Sequence, residues 1–291
     1  MKRRLVFIVG LQKSGTTLLL RTLNQSTRIE NPFKSEGNDF WGNEPPFTPC
    51  EFPAGVIYQR NKGETGHEIG EEDATAEVSK ILNERLERLA ARPAIIVNKN
   101  PYNTVRLPWL RKLFPDSIII AMVRKPIPNI FSLYKKHIPH EDEGLAPEEG
   151  WWGVKPKRWR GLIHENKIIQ CSRQWKAVNE KLWKDRAYLD MIVSYHKLCA
   201  SPSEVINTIL SAASGTEFKT NVELPSIRCF DLEYKKGSRL LSKNKYFVKS
   251  GNLTVPEEEP VEIEPFKDED IDIIENICGD TASMIKELQW V

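Results

Sequence analysis

The sequence is short of several features that would fix a function class at once. Its five cysteines, Cys50, Cys171, Cys199, Cys229 and Cys278, are far apart and form no C-x-x-C pair. That spacing argues against a thiolate zinc site or a redox dithiol, and it points to a reduced, cytoplasmic setting. The apolar run LVFIV after the basic start MKRR is far shorter than the roughly 20 residues of a membrane span and has no small-residue cleavage site after it. Neither a spanning helix nor an export signal is expected. Net charge is scarce too: 42 basic against 40 acidic residues leave +2, which excludes a chain-wide attraction to nucleic acid or membrane. No internal repeat is present, so a solenoid is excluded.

What the sequence does have is alternation. LVFIV (5–9), AIIV (94–97), SIIIAMV (117–123) and LDMIVSY (189–195) read as short buried strands. Between them, Val78, Ile81, Leu82, Leu86 and Leu89 share one helical face, as do Ile168, Cys171, Trp175, Val178 and Leu182. Strands alternating with helices predict an α/β fold, a parallel sheet flanked by helices on both faces, and the length suits one domain over 1–291. Residues 28–70 and 138–161 read as long loops, which in a compact domain are usually functional. The acidic stretch 257–272 leads into a last helix expected to end near Trp290.

The chemistry concentrates in VFIVGLQKSGTTLLLRTL, residues 6–23. A strand, a glycine turn and a helix starting near Thr16 aim backbone N–H groups and the positive end of a helix dipole at one anion. Gly10 and Gly15 keep the glycine spacing of the nucleotide triphosphatase phosphate loop, G-x-x-x-x-G-K-[ST], but Thr16 and Thr17 follow and the loop's lysine, Lys13, lies inside it. No Lys-[ST] pair is left for the usual magnesium arrangement, so a metal-bound triphosphate is disfavoured.

QKSGTT after an apolar strand resembles the 5′-phosphosulfate loop of sulfotransferases that use 3′-phosphoadenosine 5′-phosphosulfate (PAPS), whose common form is [PK]-[KR]-S-G-T-T. Gln12 stands where proline is frequent. RKPIPNIFS (124–132) resembles the family's 3′-phosphate site, VNKNPYNTVRLPWLRKLFPDS (97–117) its K-x-P segment, and IVSYHKLCASPSEVINTIL (192–210) its late strand-Y-x-x-L-x-x-x-P-helix element. The resemblance spans residues 5–210 and is closest in motif style to tyrosylprotein-type members.

It implies a P-loop-like fold and transfer of a sulfuryl group from PAPS to a hydroxyl or amine, with adenosine 3′,5′-bisphosphate (PAP) as product. No metal is implied. Lys13, Ser14, Gly15, Thr16, Thr17, Arg124 and Ser132 would bind the donor. Lys13 and Lys99 would be the catalytic cations, Lys99 emerging at the carboxyl edge of the sheet where such folds bind ligands. The general base would be a glutamate some two dozen positions past Lys13. Glu36 is favoured, Glu44 is second, and His67 is an outsider.

WWGVKPKRWR (151–160) mixes three tryptophans with four basic residues. It reads as a platform for rings, a holder of acidic acceptors, or a lid packed on the core. The acceptor is open between small molecule, glycan, polyketide and peptide; nucleic acid and membrane are not expected partners. Oligomeric state is unread. A P-loop phosphotransferase and a non-catalytic nucleotide-binding protein are the alternatives.

Overall fold

A computed structural model describes residues 4–33, 38–41, 66–89, 95–142, 150–224, 229–233, 242–249, 252–254 and 266–288. In chain order the elements are β1 (Arg4–Val9), α1 (Thr16–Leu23), β2 (Ile29–Glu30), α2 (Asn38–Trp41), α3 (Ala76–Leu89), β3 (Ile95–Lys99), α4 (Leu107–Leu113), β4 (Ile118–Val123) and α5 (Pro126–Asp142). They continue with α6 (Lys167–Lys184), β5 (Met191–Ser194), α7 (Tyr195–Ala200), α8 (Pro202–Ser214), β6 (Cys229–Glu233), β7 (Ser242–Lys249), β8 (Asn252–Thr254) and α9 (Asp268–Lys286). Short 3-10 turns span Pro101–Val105 and Trp159–Leu162.

The central sheet runs β2-β3-β1-β4-β5, and every pairing in it is parallel. Parallel strands need crossover helices, which cover both faces; this is why β1, β3 and β4 are near-continuous apolar runs rather than alternating ones. Side chains of β1 still alternate between faces. Phe7 and Val9 join the core beneath α2, α3 and α4, whereas Val6 and Ile8 join the core beneath α1, α7 and α8. A third core holds α5, α6 and α9 together with Leu11 and Tyr102 from the loops.

β1 lies between β3 and β4, with Ile8 beside Lys99 and Val9 beside Ala121. The chain therefore reverses its direction of winding at β1, and the crevice opens beyond the carboxyl ends of β1, β3 and β4. Lys13 and Arg124 follow β1 and β4, and Lys99 is the last residue of β3. All four strand predictions, 5–9, 94–97, 117–123 and 189–195, fall within two residues of β1, β3, β4 and β5 at each end.

Other expectations differ. The predicted loop 28–70 contains β2 and α2, α5 extends to Asp142 into the predicted loop 138–161, and α9 ends at Lys286 rather than near Trp290. The three-stranded antiparallel sheet β6-β7-β8 was not anticipated. SKNKYFVK of β7 has no period-2 apolar pattern, so backbone pairing left no mark in the residue types. Cys171, Cys199 and Cys278 are buried and form no disulfide among the described residues. No helix among the described residues is long and apolar enough to cross a membrane.

Candidate active site

The loop between β1 and α1 uses three left-handed residues, Gly10 (φ 140°), Lys13 (φ 68°) and Gly15 (φ 108°). Two of them need to be glycine. A Cβ on Gly10 would collide with the carbonyl of Met122 in β4, and one on Gly15 would come 2.6 Å from the ring of Tyr195. The turn is closed by the Ser14 N–H donating to Leu11 O at 3.0 Å. It is tied to the K-x-P turn by Gly10 N–H donating to Thr104 Oγ1 at 2.7 Å, while that hydroxyl donates to Pro101 O.

Helix α1 starts on Gly15, which has no side chain to cap it, and has no acidic residue in its first turn. Its leading N–H groups and dipole are thus left facing the loop. Ser14 is 1% exposed, and its Oγ has no hydrogen-bond partner among the described residues. An orphaned buried hydroxyl costs about 1–3 kcal/mol. A ligand anion in the turn would remove that cost, so the loop fits a phosphosulfate group.

Arg124 leaves the end of β4 and directs Nη1 to both Lys13 O and Ser132 Oγ, each at 3.3 Å. The expected pair of Arg124 and Ser132 is therefore together, and it borders the loop. The Arg124 guanidinium lies 4.1 Å from the centroid of the Tyr195 ring. Tyr195 thus fills the space that Gly15 leaves and supports Arg124 from one face. Asn129, one turn ahead of Ser132 on α5, donates from Nδ2 to Gln12 O at 3.1 Å.

Tyr195, Asn129 and Thr104 were not singled out from the sequence. Tyr195 lay within a noted Y-x-x-L element, but nothing in residue type or spacing ties Thr104 to Gly10.

Lys99 closes β3 beside Ile8 and is 7% exposed. Its neighbour Asn100 accepts Tyr102 N–H on Oδ1 at 2.9 Å, which caps the turn Pro101–Val105. Glu36 and Glu44 lie outside the described residues. His67 is fully buried, edge-on to Tyr102 at 4.5 Å between centroids. Its Nδ1 accepts Lys155 N–H at 2.7 Å, its own N–H donates to Lys155 O at 2.7 Å, and its carbonyl accepts from Arg106 Nε at 2.7 Å. Burial, then the charges of Arg106 and Lys155, hold its pKa well below the ordinary 6.5. With Nδ1 occupied by a backbone donor, His67 is built as a neutral strut between the 150–160 segment and α4.

In that segment Trp151 and Trp159 are fully buried, with ring centroids 5.7 Å apart. Lys155 is buried as well, its Nζ 4.4 Å from the Trp159 centroid. Lys157, Arg158 and Arg160 are exposed. Of the three readings of this stretch, the packed one describes Trp151 and Trp159, whose faces are spent on the protein interior.

A family model described as "Sulfotransferase family" matches residues 6–219, and the chain belongs to that family. A Caenorhabditis briggsae protein, provisionally named as a protein-tyrosine sulfotransferase, is 27% identical over 173 residues, 58% of this chain and 55% of that protein. The chain thus spans about half the length of this curated relative.

Among solved structures, a sulfotransferase from Alicyclobacillus acidocaldarius aligns with TM-score 0.45 at 20% identity, over 76% of this chain and 85% of its own. One from Mycobacterium avium aligns with TM-score 0.47 at 16% identity, over 74% and 64%.

Proposed function

We propose that this chain transfers a sulfuryl group from PAPS to a hydroxyl or amine of an acceptor, by in-line displacement with a carboxylate as general base. The observation that carries the reading is the buried, partnerless Ser14 Oγ in a turn of left-handed residues, beside the Arg124 and Ser132 pair. The turn offers hydroxyl, amide and ammonium donors at one end and a guanidinium at the other, which suits a ligand with anionic groups at its 5′ and 3′ positions.

Lys13, Ser14, Gly15, Thr16 and Thr17 would hold the 5′ end, and Arg124 with Ser132 the 3′-phosphate. The donor, when bound, supplies an activated sulfuryl group and a leaving bisphosphate. Lys13 and Lys99 then act as fixed cations toward the charge that develops, a kind of stabilisation worth about 10²–10³ in kcat for a single group. Glu36, two residues ahead of α2 in the chain, would take the acceptor's proton, a contribution of about 10²–10⁴-fold. The acceptor would enter from the side of 28–70 and 138–161. The name of the Caenorhabditis briggsae relative adds a protein tyrosine hydroxyl to the acceptors worth screening.

Calorimetry tests the donor site: PAP should bind without magnesium, and a preference for Mg-ATP would overturn the reading in favour of a phosphotransferase. Labelled-sulfate transfer tests the base. Glu36→Gln should lower turnover by about 10²-fold or more with PAP affinity unchanged; full turnover in that variant removes Glu36 from the mechanism.

A further inference from the structure

Residues 150–155 are held between two glutamines. From the phosphate loop, Gln12 is 7% exposed; its Nε2 donates to Trp152 O at 3.2 Å and its Oε1 accepts Val154 N–H at 3.3 Å. From α6, Gln174 Nε2 donates to the same Trp152 O at 2.9 Å and to Val154 O at 3.2 Å. Gly153 lies between the two residues that Gln12 grips, at φ 89°, and a Cβ there would fall on the Gln12 amide. The segment therefore has a glycine where the loop's glutamine comes closest, and each requires the other.

The residue after Gln12 is Lys13, whose left-handed φ costs a non-glycine residue about 1–2 kcal/mol. Such a conformation persists when its surroundings over-determine it. Here the surroundings are specific: Asn129 holds the carbonyl of Gln12, Arg124 holds the carbonyl of Lys13, and the Gln12 side chain is fastened to residues 152 and 154. Two of these anchors come from the 3′-phosphate side, and the third comes from the 150–155 segment.

We propose that Gln12 is a positioning residue that fastens the 150–155 segment to the phosphate loop, so that the two order as one unit. The segment helps to keep Lys13 in the turn that aims its ammonium. By reciprocity, an anion on the loop stabilises the segment by the same factor. The ligand half of this inference rests on the donor site proposed above.

The test uses the full chain with PAP as probe, reading calorimetric affinity and hydrogen exchange of peptides covering 150–155. In the wild type, saturating PAP should slow exchange there. Gln12→Ala should bind PAP about tenfold more weakly, the loss expected for two hydrogen bonds of ordinary worth, and saturating PAP should no longer slow the segment. In turnover assays run well below its melting temperature, where the variant is folded, it should raise the donor KM and lower kcat, an effect on the folded enzyme that a purely structural role would not give.

Gln174→Ala removes the hold of α6 on Trp152 and Val154 and leaves Gln170 Nε2 on Gly150 O, so exchange should rise but PAP should still slow it. Gly153→Ala should mimic Gln12→Ala by displacing the amide; if it fails to fold, Gln12→Ala decides alone. PAP affinity within twofold of wild type in Gln12→Ala, or equal slowing of the segment by PAP, overturns the inference. A wild type that binds no PAP overturns the proposed donor site and the ligand half with it. In that event unchanged ligand-free exchange in Gln12→Ala overturns the fastening itself.

Discussion

The phosphate loop and the 150–160 segment touch at Gln12, and each carries lysine and glycine, yet they use their lysines in opposite ways. In the loop, Lys13 is exposed and strained, Ser14 Oγ is buried without a partner, and α1 opens with no capping side chain. In the segment, Lys155 is buried against Trp159, Trp151 donates from Nε1 to Val154 O at 3.1 Å, and both rings are sealed from water. The loop sets a buried hydroxyl and uncapped helix N–H groups beside a cation, whereas the segment packs two rings and Lys155 against one another, with Trp159 Nε1 left without a hydrogen-bond partner among the described residues. A cation, a hydroxyl and free amides in one turn suggest an anion, and rings packed in the interior suggest scaffold.

The contrast breaks most visibly through stability. Trp159→Ala should remove a fully buried ring and cost about 3–5 kcal/mol, read as a large fall in the denaturation midpoint, while PAP affinity of the remaining folded protein is unchanged. If instead the variant melts normally and loses acceptor turnover, Trp159 faces a ligand and the segment has been misread as scaffold.

Lys13→Gly should do the reverse. Losing one fixed cation should cut kcat by about 10²–10³, near 3–4 kcal/mol of transition-state stabilisation. The melting temperature should hold, because glycine accepts φ 68° without the steric cost that lysine carries, and this offsets the extra freedom of its unfolded chain. A drop in stability with turnover intact would make the loop a packing turn.

The same contrast explains which parts were legible in the sequence. β1, β3 and β4 announced themselves because strands covered on both faces must be apolar throughout. The turn between β1 and α1 was readable because an anion turn needs glycine at fixed spacing and a cation in reach. Arg124 and Ser132 were legible only through the family resemblance of RKPIPNIFS, and the structure brings the two side chains within 3.3 Å.

Contacts made across the chain left no such trace. Thr104 on Gly10, Tyr195 under Arg124, and Gln12 on the segment join residues 94, 71 and 140 or more positions apart, and nothing local demands the partner. The tryptophans of 151–160 left the packed-lid reading open beside the others for a related reason: composition gives the rings but not the side that buries them.

The smallest effect concerns pH and His67, which ties the segment to α4. Its folded pKa lies well below 6.5 because burial, Arg106 and Lys155 all disfavour the imidazolium. The unfolded chain takes up a proton near 6.5, and the folded one does so only at much lower pH. The neutral form's contribution is therefore complete above pH 6.5 and is lost as pH falls from there toward the folded pKa, by at most about 1.4 kcal/mol per unit. In His67→Asn the amide oxygen can still accept Lys155 N–H, so the strut survives without its titration. Stability measured from pH 7.5 to 5 should then fall less steeply in the variant than in the wild type, with parallel slopes above pH 7. Superimposable slopes across the whole range would mean that His67 titrates alike in both states and is no pH-sensitive tie between the segment and the scaffold.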